Sequence, residues 1–212
     1  MAEQRTTGII LRTMPLTETS LIVHWLTPDF GRISTVAKGA RRVKSNFHGR
    51  VDVFHTADFT FIESRKSDLH ILKEIALRET FPALRRDMLL LQRAAYGSAL
   101  IGLATESATP LAEIYELYLE YLRELPHSGL AGVLALECRL LEELGLSPEA
   151  TELSGEPRAL LGQFLTHSFA ELATHKFPDA SLKLMSQFLH GFIVYHLGKL
   201  PKGRLDALAL DN

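Results

Sequence analysis

The hydrophobic pattern changes period near Phe81-Pro82, and this change limits the fold more than any other feature of the chain. Before it, apolar and β-branched residues tend to alternate, which is typical of strands with one buried face. After it, apolar residues recur at steps of three and four, which is typical of helices. Proline is favoured in the first helical turn, so Pro82 fits a helix start. The pattern predicts a β segment followed by a helical segment, with the boundary near residue 80.

Five short strands are predicted in the first segment. They are Thr6–Leu11, Ser20–Thr27, Arg32–Ala37, Val51–Ile62 and Leu69–Leu77. Pro28 and Gly31 supply turn chemistry between the second and third strands, because proline presets φ and glycine allows positive φ. Trp25 shares strand parity with Val23 and Leu21, so we expect it in the core. Five strands in so short a unit indicate a closed or partly closed barrel, of which the OB-fold commonly binds oligonucleotides.

Five helices are predicted in the second segment. They are Leu84–Ala99, Pro110–Leu125, Leu130–Leu144, Arg158–Ala173 and Ala180–Leu197. Pro126, Gly145 and Gly198 supply the expected helix stops. Thr151–Pro157 reads as a polar linker. The last helix is apolar nearly all round, which favours burial, and the alternative is a groove that accepts a partner peptide.

The predicted fold class is therefore α+β with two domains. Residues 1–79 form a five-stranded OB-fold barrel, and residues 80–212 form an all-α domain that docks partners. Residues 1–80 carry 12 Lys and Arg against 9 Asp and Glu, a net charge of +3, whereas the remainder carries 11 against 16, a net of −5. Such asymmetry between halves can mark a division of labour.

Several classes of protein are disfavoured by the sequence. No uninterrupted apolar run is long enough for a transmembrane helix, and the first residues lack the pattern of a signal peptide, so no membrane association is expected. Cys138 is the single cysteine, which excludes an internal disulfide and a multi-cysteine zinc site. A reducing, cytoplasmic location is expected. Cys138 lies among leucines and is interpreted as a core residue.

A dense basic run between the third and fourth strands is the main candidate site. Its cations are Arg32, Lys38, Arg41, Arg42, Lys44 and Arg50, with no acidic residue among them. Such a loop beside a barrel can neutralise phosphates, and Phe47 within it could stack on a base. The alternative is an ordinary solvated loop. Arg65 and Lys66, at the tip of the next hairpin, either extend this surface or are ordinary turn residues.

No catalytic constellation is recognisable, so we predict no enzyme, no catalytic residue and no cofactor. Asp29-Phe30-Gly31 resembles a kinase triplet but lacks the other kinase motifs, and a hairpin turn explains it better. Gly198-Lys199 lacks the remaining residues of a phosphate-binding loop. The nine histidines show no metal-binding spacing, so no metal is predicted. An undetected enzyme would need carboxylates or histidines that converge only in the fold.

Two stretches resemble the RecO family of bacterial DNA repair proteins. Gly8–Ser45 is similar to the family's opening, with a Glu18-Thr19-Ser20 turn, a T-x-x-x-G hairpin turn and the segment Lys38-Gly39-Ala40-Arg41-Arg42. Leu136–Leu146, followed by Ser147-Pro148, resembles the family's Leu-Gly-x-x-Pro helix stop. The closing His196-Leu197-Gly198 is also similar.

The resemblance implies an OB-fold followed by a helical domain that binds single- and double-stranded DNA and anneals complementary strands, close to the nucleoid. It implies partnership with RecR and loading of RecA on DNA coated by single-strand-binding protein, whose acidic tail would enter an apolar, basic-rimmed pocket of the helical domain. The basic positions from Arg32 to Lys44 would carry phosphate contacts. Glu149–Leu160 lacks the four-cysteine element of many members, so no structural zinc is expected.

The remaining alternative is a protein-interaction adaptor without a direct DNA role. Its barrel would bind a peptide, and its basic loop would be merely solvated. Charge reversal in the run Arg32–Arg50 distinguishes the two hypotheses, because only the DNA-binding protein would lose affinity for DNA.

Overall fold

The computed structural model describes residues 2–146 and 155–209. The chain divides into two compact units, Met1–Phe81 with Thr105–Glu116 and Pro82–Ala104 with Leu117–Asn212. The predicted linker at Thr151–Pro157 lies largely outside the described residues, as does half of the stretch from which the absence of zinc was predicted. The division into domains at residue 80 stays a prediction, and each unit is considered by itself.

The first unit contains a closed barrel of five strands in the order β1-β2-β3-β5-β4. The strands are β1 (Glu3–Pro15), β2 (Leu21–Thr27), β3 (Gly31–Ala37), β4 (Thr56–Ile62) and β5 (Leu69–Glu79). The pairs are antiparallel except β3 with β5, which run parallel. The predicted fold class is confirmed. The fourth strand begins five residues later than predicted, because Phe54 has a φ of 66° and cannot continue an extended strand.

Aromatic stacking fills the centre of the barrel. Trp25 is fully buried and stacks on Phe59, with 4.0 Å between ring centroids. The indole N–H donates to Thr35 Oγ1 at 2.9 Å, so this buried donor is satisfied. Ile10, Val23 and the other inward-facing residues complete the cluster. The prediction that Trp25 belongs to the core is confirmed.

The first half of β3 is covered by the segment Thr105–Leu111. β3 pairs with β5 only through Ser34–Val36, so the backbone of Arg32 is free to bridge Ser107. Ala108 N donates to the Arg32 carbonyl at 3.1 Å, and Leu111 N donates to that of Pro28 at 3.0 Å. Gly31 has a φ of 62°, and a Cβ at this position would overlap the carbonyl group of Thr109. Position 31 therefore requires glycine for two reasons, the positive φ and the close approach of the Thr109 carbonyl group.

Every regular element in the described part of the second unit is a helix. Its elements are a 3-10 turn (Pro82–Arg85), α1 (Met88–Ala104), α2 (Ala112–Glu143, whose first turn belongs to the barrel unit), α3 (Glu156–Thr166), α4 (Phe169–Thr174), α5 (Asp179–Leu197) and α6 (Arg204–Ala207).

The predicted stop at Pro126 is wrong. Pro126 lies inside α2, and the break comes at Gly129, whose φ of 53° and ψ of −136° are not helical. Proline removes one backbone donor, whereas the positive φ turns the chain out of the helix. The single helix predicted at Arg158–Ala173 is also wrong, because Ser168 and Glu171 form a capping box that starts α4 anew.

A buried polar network holds α6 in the helical unit. Arg204, only 3% exposed, donates to both carboxylate oxygens of the fully buried Glu137, at 2.8 and 2.9 Å. The Tyr96 hydroxyl donates to the same carboxylate. Arg93 donates to the carbonyls of Ala207 and Ala209. Neighbouring Cys138 is fully buried, as predicted, and burial raises the pKa of its thiol well above the usual range.

The amphipathic character of α5 differs from the prediction. Leu182, Met185 and Leu189 are buried on one face. The opposite face exposes Leu184 and Tyr195, and 83% of Tyr195 is accessible, so the expectation of burial all round the helix is wrong for this face. Among the described residues, every helix is too short or too polar to cross a membrane.

Candidate nucleic-acid interface

The basic loop connects β3 to β4 over residues 38–55 and is built from consecutive turns. Backbone N–H groups donate to carbonyls three residues earlier, from Arg42 to Gly39, Ser45 to Arg42 and His48 to Ser45. The last turn tightens around Phe47, whose carbonyl accepts from the backbone N–H groups of Arg50 and Val51. Because these hydrogen bonds join backbone groups, they order the loop without using its charged side chains.

Two anchors hold the loop against the barrel. Arg41 N donates to the Thr19 carbonyl at 3.0 Å, and Arg41 Nη1 donates to the Thr17 carbonyl at 3.0 Å. At the other end, Arg50 Nη1 donates to the Ile75 carbonyl at 3.2 Å. Phe47 is half-buried and packs against the barrel core. The loop is thus fixed at both ends, to the β1–β2 turn and to β5.

The loop exposes its cationic side chains to solvent. These are Lys38, Arg41, Arg42, Lys44 and Arg50. In the part of the chain that the structure describes, no side-chain partner is recorded for Arg42 or Lys44, so both are available to a ligand. A one-signed set of solvated cations on a positioned loop can neutralise a run of phosphates.

Arg32 differs from the loop cations. It lies at the start of β3, roughly 20 Å along the strand from Lys38. Its Nε donates to Thr105 Oγ1 at 2.9 Å and its Nη2 to the Thr105 carbonyl at 2.5 Å. Burial lowers the pKa of its guanidinium. Arg32 therefore holds the covering segment, and its phosphate contact stays a prediction.

Arg65 and Lys66 are exposed in the turn between β4 and β5. The Arg50 guanidinium bonds to Ile75, which pairs with Phe59 in the middle of β4. The turn begins beyond Ile62, three residues and roughly 10 Å further along β4. The structure therefore presents these two residues as a second basic patch, and their role in binding stays a prediction.

The outer face of β1–β3 adds two residues that the sequence analysis missed. Arg12 pairs in register with His24, and His24 pairs with Ser34. His24 Nδ1 lies 2.9 Å from Ser34 Oγ. Burial, followed by the positive charges of Arg12 and Arg32, lowers the pKa of His24. The alternation of residues along paired strands could have predicted that Arg12 and His24 are neighbours. The β1 bulge between Ile10 and Arg12 shifts the register, however, and the sequence does not reveal it.

Metal ligation is not supported by the described residues. Nowhere in residues 2–146 and 155–209 do three or more His, Cys, Asp or Glu side chains come close enough to hold an ion. The chemistry that the site offers is charge neutralisation and ring contact.

A closed five-stranded barrel with an anchored basic loop, joined to a helical region, defines an OB-fold protein with a C-terminal helical part. Residues 1–81 match the family model described as "Recombination protein O N terminal". These residues therefore belong to the RecO N-terminal family, and the similarity to RecO proteins extends into the helical part.

Three relatives bear the name "DNA repair protein RecO". The protein of Rhodopirellula baltica is 35% identical over 143 residues, 66% of this chain and 53% of the relative. That of Gloeothece citriformis is 33% identical over 158 residues, 71% of this chain and 55% of the relative. That of Listeria monocytogenes is 32% identical over 143 residues, which are 66% of this chain and 55% of the relative. The matched part spans about half the length of these relatives.

Proposed function

We propose that this chain is a DNA-binding recombination mediator in DNA repair and not an enzyme. It binds single- and double-stranded DNA through phosphate contacts and anneals complementary strands. With RecR it helps load RecA on DNA coated by single-strand-binding protein. Family membership and the barrel fold support this proposal.

The observation that carries the proposal is the anchored, exposed basic loop. The loop is held by the Arg41 backbone N–H on the Thr19 carbonyl and by the Arg50 guanidinium on the Ile75 carbonyl, so its exposed cations are positioned before a ligand arrives. Preorganisation reduces the ordering cost of binding. Contacts to phosphates carry no base information, so binding is expected to be insensitive to sequence and to weaken steeply with salt.

The first test is binding of a fluorescent single-stranded oligonucleotide at two salt concentrations. The native chain is expected to bind at low salt, and Arg41→Glu/Arg42→Glu is expected to lose most of that affinity. Annealing of two complementary labelled oligonucleotides, measured in parallel, should fall with it.

Arg158→Glu/Lys176→Glu is the matched control. Both residues are exposed, Arg158 in the first turn of α3 and Lys176 just before α5, and the net charge changes by the same amount. Acidic residues are favourable near helix N-termini, so this variant should remain folded. If the native chain fails to bind at low salt, the proposal is wrong and the peptide-binding adaptor becomes the better hypothesis.

For the helical unit we propose a docking role toward single-strand-binding protein. The exposed face of α5 presents Leu184, Tyr195 and the half-buried Phe188 and Phe192, with Lys183 at its edge. An acidic peptide with apolar residues is complementary to such a stripe. Tyr195→Ser should weaken binding of the labelled tail peptide while leaving oligonucleotide binding unchanged.

A further inference from the structure

A second feature of the barrel unit is a cleft of about 450 Å³ between the basic loop and the outer face of the sheet. Its volume lies in the roughly 300–1,000 Å³ range of small-ligand sites. Asn46, Phe47 and Arg50 line one side from the loop, and β1, β4 and β5 form the floor. The cleft is therefore continuous with the loop that the proposed function assigns to DNA.

Strand pairing brings the cations of the floor together. Arg5 on β1 is in register with Thr60 on β4, which is in register with Glu74 on β5. Lys73 is the extra residue of a bulge between Thr60 and Phe61, and it is exposed beside Glu74. A bulge re-aims a side chain that regular pairing would send to the opposite face. It thus accounts for a lysine next to a glutamate on the outer surface.

The charge balance of the cleft favours an anion. Arg5, Arg50 and Lys73 line it together with Asp58 and Glu74. The carboxylate of Asp58 is paired with Arg78 at 2.8 Å, which neutralises it. Three cations then face Glu74, a net charge of +2.

The remaining lining suits a nucleobase. Phe47 and Ala76 contribute apolar surface, and Asn46 and Thr60 contribute neutral hydrogen-bonding groups. Aromatic contact with a base is sequence-tolerant, because every base has a π face. A cleft that combines cations, an aromatic ring and neutral polar groups matches a nucleotide better than it matches inorganic phosphate alone.

We propose that this cleft binds one nucleotide of a single DNA strand. The base contacts Phe47, and the flanking phosphates are neutralised by Arg5 and Lys73, with Arg50 between the cleft and the basic loop. The inference rests on the proposed DNA-binding function and extends it by naming a subsite beside the loop, with Arg50 common to both.

The test compares variants of the full chain in binding a fluorescent dT10 oligonucleotide. Phe47→Leu keeps apolar packing and removes the ring, so affinity should fall about 5- to 150-fold, the range of one lost stacking contact. Phe47→Trp should restore it, and the new indole should be quenched by the strand. Arg5→Gln/Lys73→Gln should reduce the slope of log K against log salt by about 1.4, since each contact to a single strand contributes about 0.7.

Each outcome separates the cleft from the wider function. If Arg41→Glu/Arg42→Glu abolishes binding while Phe47→Leu and Arg5→Gln/Lys73→Gln match the native chain, the subsite is wrong and the DNA-binding proposal stands. If the native chain does not bind dT10, both fail. If dTMP binds as tightly as dT10, the occupant is a free nucleotide and not a strand. The fluorescence of buried Trp25 confirms that the variants without a second tryptophan retain their barrel.

Discussion

Replacing Gly31 by alanine tests how much the segment Thr105–Leu111, which covers β3, stabilises the barrel. The positive φ of 62° costs an alanine roughly 1–2 kcal/mol. The added methyl would also overlap the carbonyl group of Thr109, so the segment must move and release the bonds from Ala108 N and Leu111 N. Each such bond contributes about 1 kcal/mol. Gly31→Ala should therefore destabilise the barrel by about 3–4 kcal/mol.

Gly49→Ala is the matched control for this prediction. Gly49 has a φ of 69°, but nothing lies within 4 Å of the position that its Cβ would take. The Gly49→Ala variant should lose only roughly 1–2 kcal/mol of stability, which is the cost of the positive φ for alanine. Urea unfolding followed by the fluorescence of Trp25, the single tryptophan, reports on the barrel. Equal losses for the two variants, within about 0.5 kcal/mol, would refute the argument that Thr105–Leu111 is held by close approach at Gly31.

Three further predictions concern buried or partly buried groups. Arg204→Met should lower the free energy of unfolding by about 3–5 kcal/mol, because the Glu137 carboxylate is left buried without its ion-pair partner. Urea denaturation followed by circular dichroism measures this loss, and adding Glu137→Leu should restore most of the stability. NMR titration should place the pKa of His24 below 6.5, and Arg12→Gln should raise it; the stability from neutral His24 is present above pH 6.5 and lost as pH falls through the folded-state pKa. The Cys138 thiol should react with a disulfide reagent only on unfolding, and rapid reaction of the folded chain would contradict its burial.

The barrel was predictable where a strand alternates, as in Arg32–Ala37, whose residues from Ile33 to Ala37 are alternately buried and half-buried. The alternation read in Leu69–Leu77 was wrong beyond Ile71, because the bulge at Lys73 buries Leu72 and Ile75 and leaves Leu77 exposed. The start of β4 was not predictable, because the residues before it are β-branched and aromatic. Phe54 nevertheless takes a positive φ, and its backbone N–H donates to Ile10 in β1. Tertiary pairing overrides local preference there.

The candidate site was likewise predictable from the sequence only in part. The loop cations are contiguous, so their charge density is visible in the sequence. Arg5 and Lys73 come together only through strand pairing and a bulge, which depend on register. The engagement of Arg32 by Thr105 depends on a segment 73 residues away. Its charge could be read from the sequence, but its partner could not.

Salt-dependent binding shows whether the anchored loop neutralises DNA phosphates. The measurement is the slope of log K against log salt for one single-stranded oligonucleotide, for the native chain and for Arg41→Gln/Arg42→Gln. The native slope should be steep and negative, and the variant's slope should be shallower by about 1.4, as expected for two lost contacts. Equal slopes and equal affinities for the two proteins would show that Arg41 and Arg42 do not contact the phosphates, and would contradict the proposed role of the loop.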